Sequence, residues 1–165
     1  MDVKITGLDG VIDTLKSLPP EIVSKRGGPV RAALRKAAVV IQKKELENLA
    51  ISLANAPRYS TGLLEKNIIV TRGKAPFGGN GERYLVRVRR KVYPDRVGRS
   101  RGGKVTTTLA AANLLEYGSS KQKAEPFIRP AVQQAGARAI QVFQESLSKN
   151  IQRIIKKLAK ANANK

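Results

Sequence analysis

The feature that most constrains this chain is an apolar stripe that begins at Ala131 and runs almost to the C-terminus. Its members recur at steps of three and four residues, which is the period of one helix face. A helix of about 30 residues would be about 45 Å long. Either its basic far end projects or docks on a neighbouring subunit, or the helix packs on its own sheet with that basic face in solvent. The stripe comprises Val132, Ala135, Ala139, Val142, Phe143, Leu147, Ile151, Ile154, Ile155 and Leu158.

The same spacing predicts two helices upstream. A short one covers residues 8–18, follows a short strand at 3–6 and ends at Pro19-Pro20. A longer one covers residues 29–53 and stops before Pro57, because proline moves the preceding residue out of the α region. Its stripe is rich in alanine, so its partner must come close. That stripe comprises Val30, Ala33, Leu34, Ala37, Ala38, Ile41, Glu45 and Leu49.

Strands are predicted between the long helices. Residues 67–71 are β-branched, and residues 83–93 alternate between an apolar face ending at Val92 and a basic face. Pro94 ends the second strand, and the glycine- and arginine-rich stretch 95–104 predicts a mobile cationic loop. Residues 105–109 can return as the partner strand of a long hairpin. Residues 110–117 are compatible with a short helix or a further strand.

These elements predict a single α+β domain over residues 1–165. A small, mostly antiparallel sheet packs with an N-terminal helical region and a long C-terminal helix, and carries an extended basic hairpin. Residues 94–104 form its flexible basic loop, and residues 161–165 are expected to fray. Aromatic residues are only 4% of the chain, so the core must be aliphatic.

The composition argues against an enzyme. The chain has no Cys and no His, which removes the thiolate nucleophile and the commonest general base. Its 12 carboxylates are scattered, and no spacing suggests a catalytic pair, a metal site or a cofactor site. Glu116 beside Tyr117 could form a site, but pairing with an arginine is the better interpretation. The glycines at 78, 79 and 81 lack the lysine of a phosphate-binding loop.

The charge is extreme, with 32 Lys and Arg against 12 Asp and Glu, a net +20. Such a chain favours polyanions: nucleic acid, acidic proteins or an anionic membrane surface. Residues 83–104 are the densest part, with nine basic residues and one acidic. Contacts to phosphate there would be sequence-independent and salt-sensitive. No apolar run is long enough to span a membrane, and the opening residues do not resemble a secretory leader. The candidate contact residues are Arg87, Arg89, Lys91, Arg96, Arg99, Arg101 and Lys104.

The stretch 114–131 links the middle of the chain to its long helix. Gly118 can break the preceding element, and Pro130 suits the first turn of a helix. Upstream, Thr61 and Gly62 lead into Leu63 and Leu64. That segment could be a subunit contact or a ligand turn, but the preferred interpretation is a turn whose two leucines enter the core.

Three segments together resemble the tail-completion, or head–tail joining, proteins of long-tailed bacteriophages. They are the opening Val-Lys-Ile-Thr-Gly-Leu-Asp, the pattern Ala56-Pro57…Thr61-Gly62-Leu63-Leu64…Ile68, and Leu-Glu-Tyr-Gly-Ser-Ser-Lys followed by Pro-Phe-Ile-Arg-Pro-Ala. The second has one extra residue before Thr61. They occur in the family's order and span nearly the whole chain. The matching motif residues are Thr61, Gly62, Leu63, Glu116, Tyr117, Gly118, Pro126, Phe127, Arg129 and Pro130.

The resemblance implies a non-enzymatic virion protein of the phage neck, made in the host cytoplasm. Such a protein completes the tail and joins it to the DNA-filled head as a ring of six copies around the DNA channel. Implied partners are other copies, tail terminator or tail-tube proteins, head-closure or connector proteins, and double-stranded DNA, with no membrane. The basic insertion at 96–104 is longer than the family pattern, so its role is not covered. The alternative is a nonspecific nucleic-acid-binding protein of histone-like or ribosomal type.

Overall fold

A computed structural model describes residues 28–55, 61–74, 81–94 and 106–163 of the chain. The predictions for the first strand and helix, for Ala56-Pro57, for most of the glycine-rich loop and for residues 95–105 lie outside these ranges. The described part is α+β, as predicted. Its elements in chain order are α1 (Gly28–Asn55), a 3₁₀ turn (Glu65–Asn67), β1 (Ile68–Arg72), β2 (Tyr84–Val88), α2 (Thr108–Tyr117) and α3 (Ile128–Ala163).

The two long helices α1 and α3 pack against each other in antiparallel order. The side-chain amide of Asn48 donates to the carbonyl of Phe127 at 3.4 Å, and that of Asn150 donates to the carbonyl of Pro29 at 3.3 Å. The end of α1 therefore lies beside the start of α3. The predicted close approach is confirmed, because small side chains line the contact. Ala33 and Ala38 of α1 and Ala131, Ala135 and Ala139 of α3 are all buried.

The sheet has two antiparallel strands and lies against α1. Val70 pairs with Val86, and Ile68 pairs with Val88. Ile68 and its cross-strand neighbours reach the core, whereas Arg87 on the other face is exposed, which is the alternation that the sequence predicts. The side-chain amide of Gln42 on α1 donates to the carbonyl of Ile68 at 2.7 Å and fixes the sheet on the helix.

The second strand is shorter than predicted, because β2 ends at Val88 rather than near Tyr93. β1 begins only at Ile68, after the 3₁₀ turn, so it provides no partner beyond Arg89, whose N–H donates to the carbonyl of Asn67 at 2.8 Å. The hydroxyl of Thr108 binds the next backbone groups in place of a partner strand. It donates to the carbonyl of Arg89 at 2.6 Å and accepts from the N–H of Lys91 at 2.9 Å. Val92, predicted to face the core, is exposed.

The predicted return strand over 105–109 is largely replaced by a helix. Thr107 forms an isolated bridge with Val92, and the N–H of Tyr93 donates to the carbonyl of Thr106 at 3.1 Å. The hydroxyl of Thr107 then accepts from the N–H of Ala110 at 3.3 Å and caps α2. The hydrogen bond by which a threonine caps a helix start, using an N–H that has no intrahelical partner, outweighs the preference of threonine for strands. Residues 91–93 and 106–108 thus pair in antiparallel order through one bridge rather than along a full strand, with the N–H of Thr108 also donating to the carbonyl of Lys91 at 2.9 Å. The helical alternative for 110–117 is right.

Helix α3 begins earlier than predicted, at Ile128 rather than Ala131, with Pro130 in its first turn as expected. It continues to Ala163, within the segment for which fraying stays a prediction. Its 36 residues correspond to about 54 Å. Two members of the predicted stripe, Val132 and Ile155, are exposed. It packs on α1 rather than on the sheet, with its distal basic residues in solvent.

The buried residues form two clusters along the helix pair. One comprises Leu49, Leu64, Ile68, Ala112, Leu115 and Phe127, and lies where α1, the sheet, α2 and the start of α3 meet. The other comprises Ala33, Phe143, Leu147 and Ile151 and joins α1 to the middle of α3. Phe127 and Phe143 each place one aromatic ring in a cluster, and the other buried members of both clusters are aliphatic, so the aliphatic core that the sequence predicts carries two aromatic exceptions.

Candidate functional site

The carboxylate of Glu116 binds the start of α3 and defines the joint between α2 and α3. Glu116 is 4% exposed. One of its oxygens accepts the N–H groups of Phe127 and Ile128 at 2.9 and 3.0 Å. The other accepts the backbone N–H and the side-chain Nε of Arg129, both at 3.1 Å. The predicted pairing of Glu116 with an arginine is therefore confirmed, and the carboxylate also caps the helix.

The electrostatics of this joint favour the charged form of Glu116. Burial alone would raise its pKa, but the hydrogen bonds from Ile128, Arg129 and Phe127 outweigh burial and lower it. Those donors are N–H groups of a helix start, which have no intrahelical partner and carry the positive end of the helix dipole. Glu116 thus stays ionised although it is buried, and it supplies the acceptor that the first turn of α3 needs.

The loop between α2 and α3 turns sharply at Gly118. Its φ of 73° and ψ of −168° belong to a region that glycine alone adopts readily. A Cβ at this position would lie 2.8 Å from both the carbonyl oxygen of Gln122 and the N–H nitrogen of Ala124. The N–H of Glu125 then donates to the carbonyl of Leu115 at 2.8 Å, which returns the chain to α2. This geometry explains why the first half of the motif ends in glycine.

A second buried carboxyl, that of Glu45 on α1, lies near the joint. It is 3% exposed. Burial, and next the negative charge of Glu116, raises its pKa from 4.5 to about 7. From the sequence, Glu45 was expected only as a member of the core-facing stripe of α1. The signal that could have identified it is its place as the one charged member of that stripe.

The outer side of the joint is exposed and partly aromatic. The ring of Tyr117 is 69% exposed, and the guanidinium carbon of Arg129 lies 4.7 Å from its centroid. That distance fits a cation–π contact. Pro126, also in the motif, is exposed, whereas Phe127 next to it is fully buried. The motif therefore supplies both an internal anchor and an external surface.

The Thr-Gly-Leu-Leu segment is a turn, as preferred from the sequence. Gly62 has a φ of 67°, and the hydroxyl of Thr61 accepts from the N–H of Leu63 at 3.4 Å. Leu64 is buried in the first cluster, whereas Leu63 is only half-buried and its carbonyl accepts from the side chain of Asn67 at 2.7 Å. One leucine therefore enters the core fully and the other partly.

The predicted cationic contact residues divide into two groups. Arg87, Arg89 and Lys91 are exposed, and we call them the basic stripe. None of the three forms an ion pair with an acidic residue of the described ranges. The other four candidates, Arg96, Arg99, Arg101 and Lys104, lie outside the described residues.

An ion-pair network ties the sheet to the start of α1. Arg72 on β1 binds the carboxylate of Glu82 through two nitrogens, at 2.7 and 2.8 Å. Arg31 on α1 binds the same carboxylate at 3.2 Å. The hydrogen bond from Arg72, with a smaller one from Arg31, holds the pKa of Glu82 below its usual value despite burial. Two of the basic residues, Arg31 and Arg72, therefore stabilise the fold through this ion-pair network.

Two open grooves flank the helix pair. The larger, of about 620 Å³, has basic and apolar walls that include Arg35, Lys36, Tyr84 and Val142. The smaller, of about 330 Å³, lies between Lys43 of α1 and Arg138 of α3. No group of three acidic side chains within residues 28–55, 61–74, 81–94 and 106–163 is placed to hold a metal ion. None of the helices in those ranges combines the length and apolar content of a membrane span.

No protein-family model matches the sequence, and neither a curated protein nor a solved structure is significantly similar to it. The residues of the joint, the basic stripe and the short motifs are therefore the observations from which a function can be argued.

Proposed function

We propose that this protein is a structural component of the neck of a long-tailed phage, where it completes the tail and joins it to the head. One observation carries the proposal. The two motif halves that carry the family resemblance, Leu-Glu-Tyr-Gly and Pro-Phe-Ile-Arg-Pro, meet at a single joint, where Glu116 of the first accepts the N–H groups of residues 127–129 in the second. A single contact in the fold thus explains why the two motif halves occur together in the sequence.

The joint suits a part that holds a position in an assembly. It fixes the start of a 36-residue helix with a buried carboxylate, a fully buried aromatic ring and a glycine turn. Because α3 also packs on α1 as far as Ile151, its last residues lie at a defined position far from the joint. In the proposed neck, six copies form a ring. Its neighbours on one side are tail terminator or tail-tube proteins, and on the other side head-closure or connector proteins. The proposed role needs no cofactor.

The basic stripe provides a role for the net charge within this proposal. A ring multiplies a charge of +20 per copy. Lysine and arginine that face a central channel attract the phosphates of double-stranded DNA without reading its sequence. The exposed side chains of Arg87, Arg89 and Lys91 are available for such contacts.

The same stripe favours a second candidate function, nonspecific binding of nucleic acid by a histone-like or ribosomal-type protein. Three exposed cations that no described acidic residue pairs would serve that role equally well. This candidate gives no reason for the motif pair at the joint. The two functions differ in stoichiometry, since a neck protein occurs in a fixed small number per particle and a coating protein does not.

The test is a stop codon at Tyr59 in the phage genome that encodes the chain, followed by electron microscopy of the lysate. We expect full heads beside separate, unjoined tails. Growth in a host whose suppressor tRNA inserts tyrosine at the stop codon is the matched control and should restore joined virions. Normal joined particles without suppression would overturn the neck function and leave nucleic-acid binding as the explanation of the charge.

A further inference from the structure

The outward face of α2 is apolar and uncharged, which is unusual for a chain of this charge. The helix contains a single charged residue, Glu116, and its carboxylate is buried in the joint. Leu109, Ala110, Leu114 and Tyr117 are all exposed, with Asn113 as the polar residue among them. A helix that is apolar on its solvent side as well as its core side indicates a surface covered by another protein. We call these four residues the α2 face.

A second exposed apolar surface lies at the far end of α3. The stripe that packs on α1 through Phe143, Leu147 and Ile151 continues to Ile154, which is half-buried, and Ile155, which is 51% exposed. The hydrogen bond from Asn150 to Pro29 marks the position where the described part of α1 begins. The apolar packing surface of α3 therefore continues past the start of the described part of α1. We call Ile154 and Ile155 the α3 tip.

The two surfaces are too far apart to cover each other within one copy. Tyr117 contacts Arg129 at the start of α3. From Arg129 to Ile155 the helix rises by about 39 Å at 1.5 Å per residue. Contact between the two surfaces therefore requires a second molecule.

We infer that the α3 tip of one copy packs on the α2 face of the next. Identical copies that each carry +20 repel, but the four residues of the α2 face carry no charge, and Arg129 beside Tyr117 is paired with Glu116. Lys156 and Lys157 beside the tip are exposed and complement the negative end of the α2 dipole near Tyr117. Each copy would use two different surfaces, which is the arrangement that generates a ring. This inference rests on the self-association in the proposed function and names its contact.

The chain has no cysteine, so disulfide trapping can test the contact without background. Tyr117→Cys and Ile155→Cys variants are purified separately, then oxidised alone and as a mixture. We expect a cross-linked dimer in the mixture and little in either variant alone. Cross-links within each variant alone, with none added by mixing, would show a symmetric contact and overturn the inference.

Light scattering of the unmodified protein separates the two ways in which the experiment can fail. Oligomers that form without the 117–155 cross-link would overturn this interface while leaving the ring. A strict monomer at every concentration, without the cross-link, would overturn the self-association itself and with it this part of the proposed function.

Charge insertion gives a second readout. Leu114→Asp and Ile155→Asp should each weaken self-association by about tenfold or more, because each places a charge at the centre of the contact. Ile51→Asp is the matched control, since Ile51 is 61% exposed and belongs to neither surface. Circular dichroism verifies that all three variants are folded. An equal loss in the control, or intact self-association with failed incorporation into virions, would overturn the inference; the second result would assign the face to another neck protein.

Discussion

Glu116 and Glu45 are two buried carboxyl groups near one joint, and their surroundings move their pKa values in opposite directions. Hydrogen bonds from the start of α3 hold Glu116 ionised, and its charge adds to the effect of burial on Glu45. The two groups are thus coupled: the charge that caps the helix disfavours a second charge nearby. Both contribute to stability, but in different ranges of pH.

Replacing Glu116 with glutamine should destabilise the protein by roughly 2–3 kcal/mol. The amide oxygen of glutamine can still accept hydrogen bonds from some of the N–H groups of residues 127–129. The amide NH₂, which takes the place of the second carboxylate oxygen, is a donor and therefore faces N–H groups that need an acceptor. Urea denaturation followed by circular dichroism measures the change in free energy of unfolding. Glu47→Gln is the matched control, since Glu47 is exposed and pairs with Lys44 at the surface. Equal stability of the two variants would show that the cap is unimportant.

Replacing Glu45 with glutamine should change how stability depends on pH. A carboxyl whose pKa rises on folding stabilises the native state at low pH, and that contribution is lost as pH rises through about 7. Above pH 7 the variant should therefore be more stable than the unmodified protein, by up to about 3 kcal/mol, and the difference should shrink toward pH 5. Thermal unfolding at pH 5, 6, 7 and 8 measures it. A difference that is constant with pH would contradict the raised pKa.

At the scale of elements, the helices were the most predictable part of the fold. Periodicity located α1 and α3 to within a few residues, because each buries a long stripe against the other. The first strand was predicted to within one residue, but the second was extended too far, because alternation in residues 83–93 persists where β1 no longer provides a partner. At Thr107 and Thr108 the side-chain hydroxyls decided the outcome by capping α2 and binding the backbone of residues 89–91.

The candidate site was predictable in its residues but not in its contacts. The motif resemblance selected Glu116, Gly118 and Phe127, and an arginine partner for Glu116 was expected. The capping of α3 was not, because Glu116 lies 11 residues before the first N–H that it accepts, and local patterns do not encode that return of the chain. Glu45 was missed because a single carboxyl in an apolar stripe carries no sign of its neighbours.

Replacement of glycine by alanine should change stability in opposite directions at Gly118 and at Gly136. Gly118→Ala should cost about 1–3 kcal/mol or more, since its backbone conformation suits glycine alone and the added Cβ meets two backbone atoms at 2.8 Å. Gly136→Ala, inside α3 with open space around its Cβ position, should instead stabilise by up to about 1 kcal/mol. Melting temperatures of the two variants test the pair. An unchanged Gly118→Ala protein would contradict the turn geometry.

At the scale of the whole molecule, the described surface carries its basic side chains mainly on residues 87–91 and on the distal part of α3, whereas the α2 face is uncharged. Some of the charge serves the fold, as the pairing of Arg31 and Arg72 with Glu82 shows. The basic stripe has no such partner among the described residues, so it is available to a polyanion.

Binding to double-stranded DNA should depend on the basic stripe more than on total charge. The triple variant Arg87→Ala/Arg89→Ala/Lys91→Ala should bind more weakly, with a slope of log affinity against log salt reduced by about 3. Lys66→Ala/Lys121→Ala/Lys123→Ala removes the same number of exposed charges elsewhere and should leave the slope nearly unchanged. Fluorescence anisotropy across a salt series measures both. Equal reductions would mean that DNA responds only to net charge.

Helix α3 is supported at two separated places, in the way that two bearings support a shaft. Glu116 fixes its first turn through four hydrogen bonds, and Phe143, Leu147 and Ile151 hold its middle on α1. Residues 152–163 continue for about 18 Å beyond the second support. Two separated supports fix the direction of a helix as well as its position. The orientation of the distal end is therefore set by the joint and by α1 together, and loss of either support should change it.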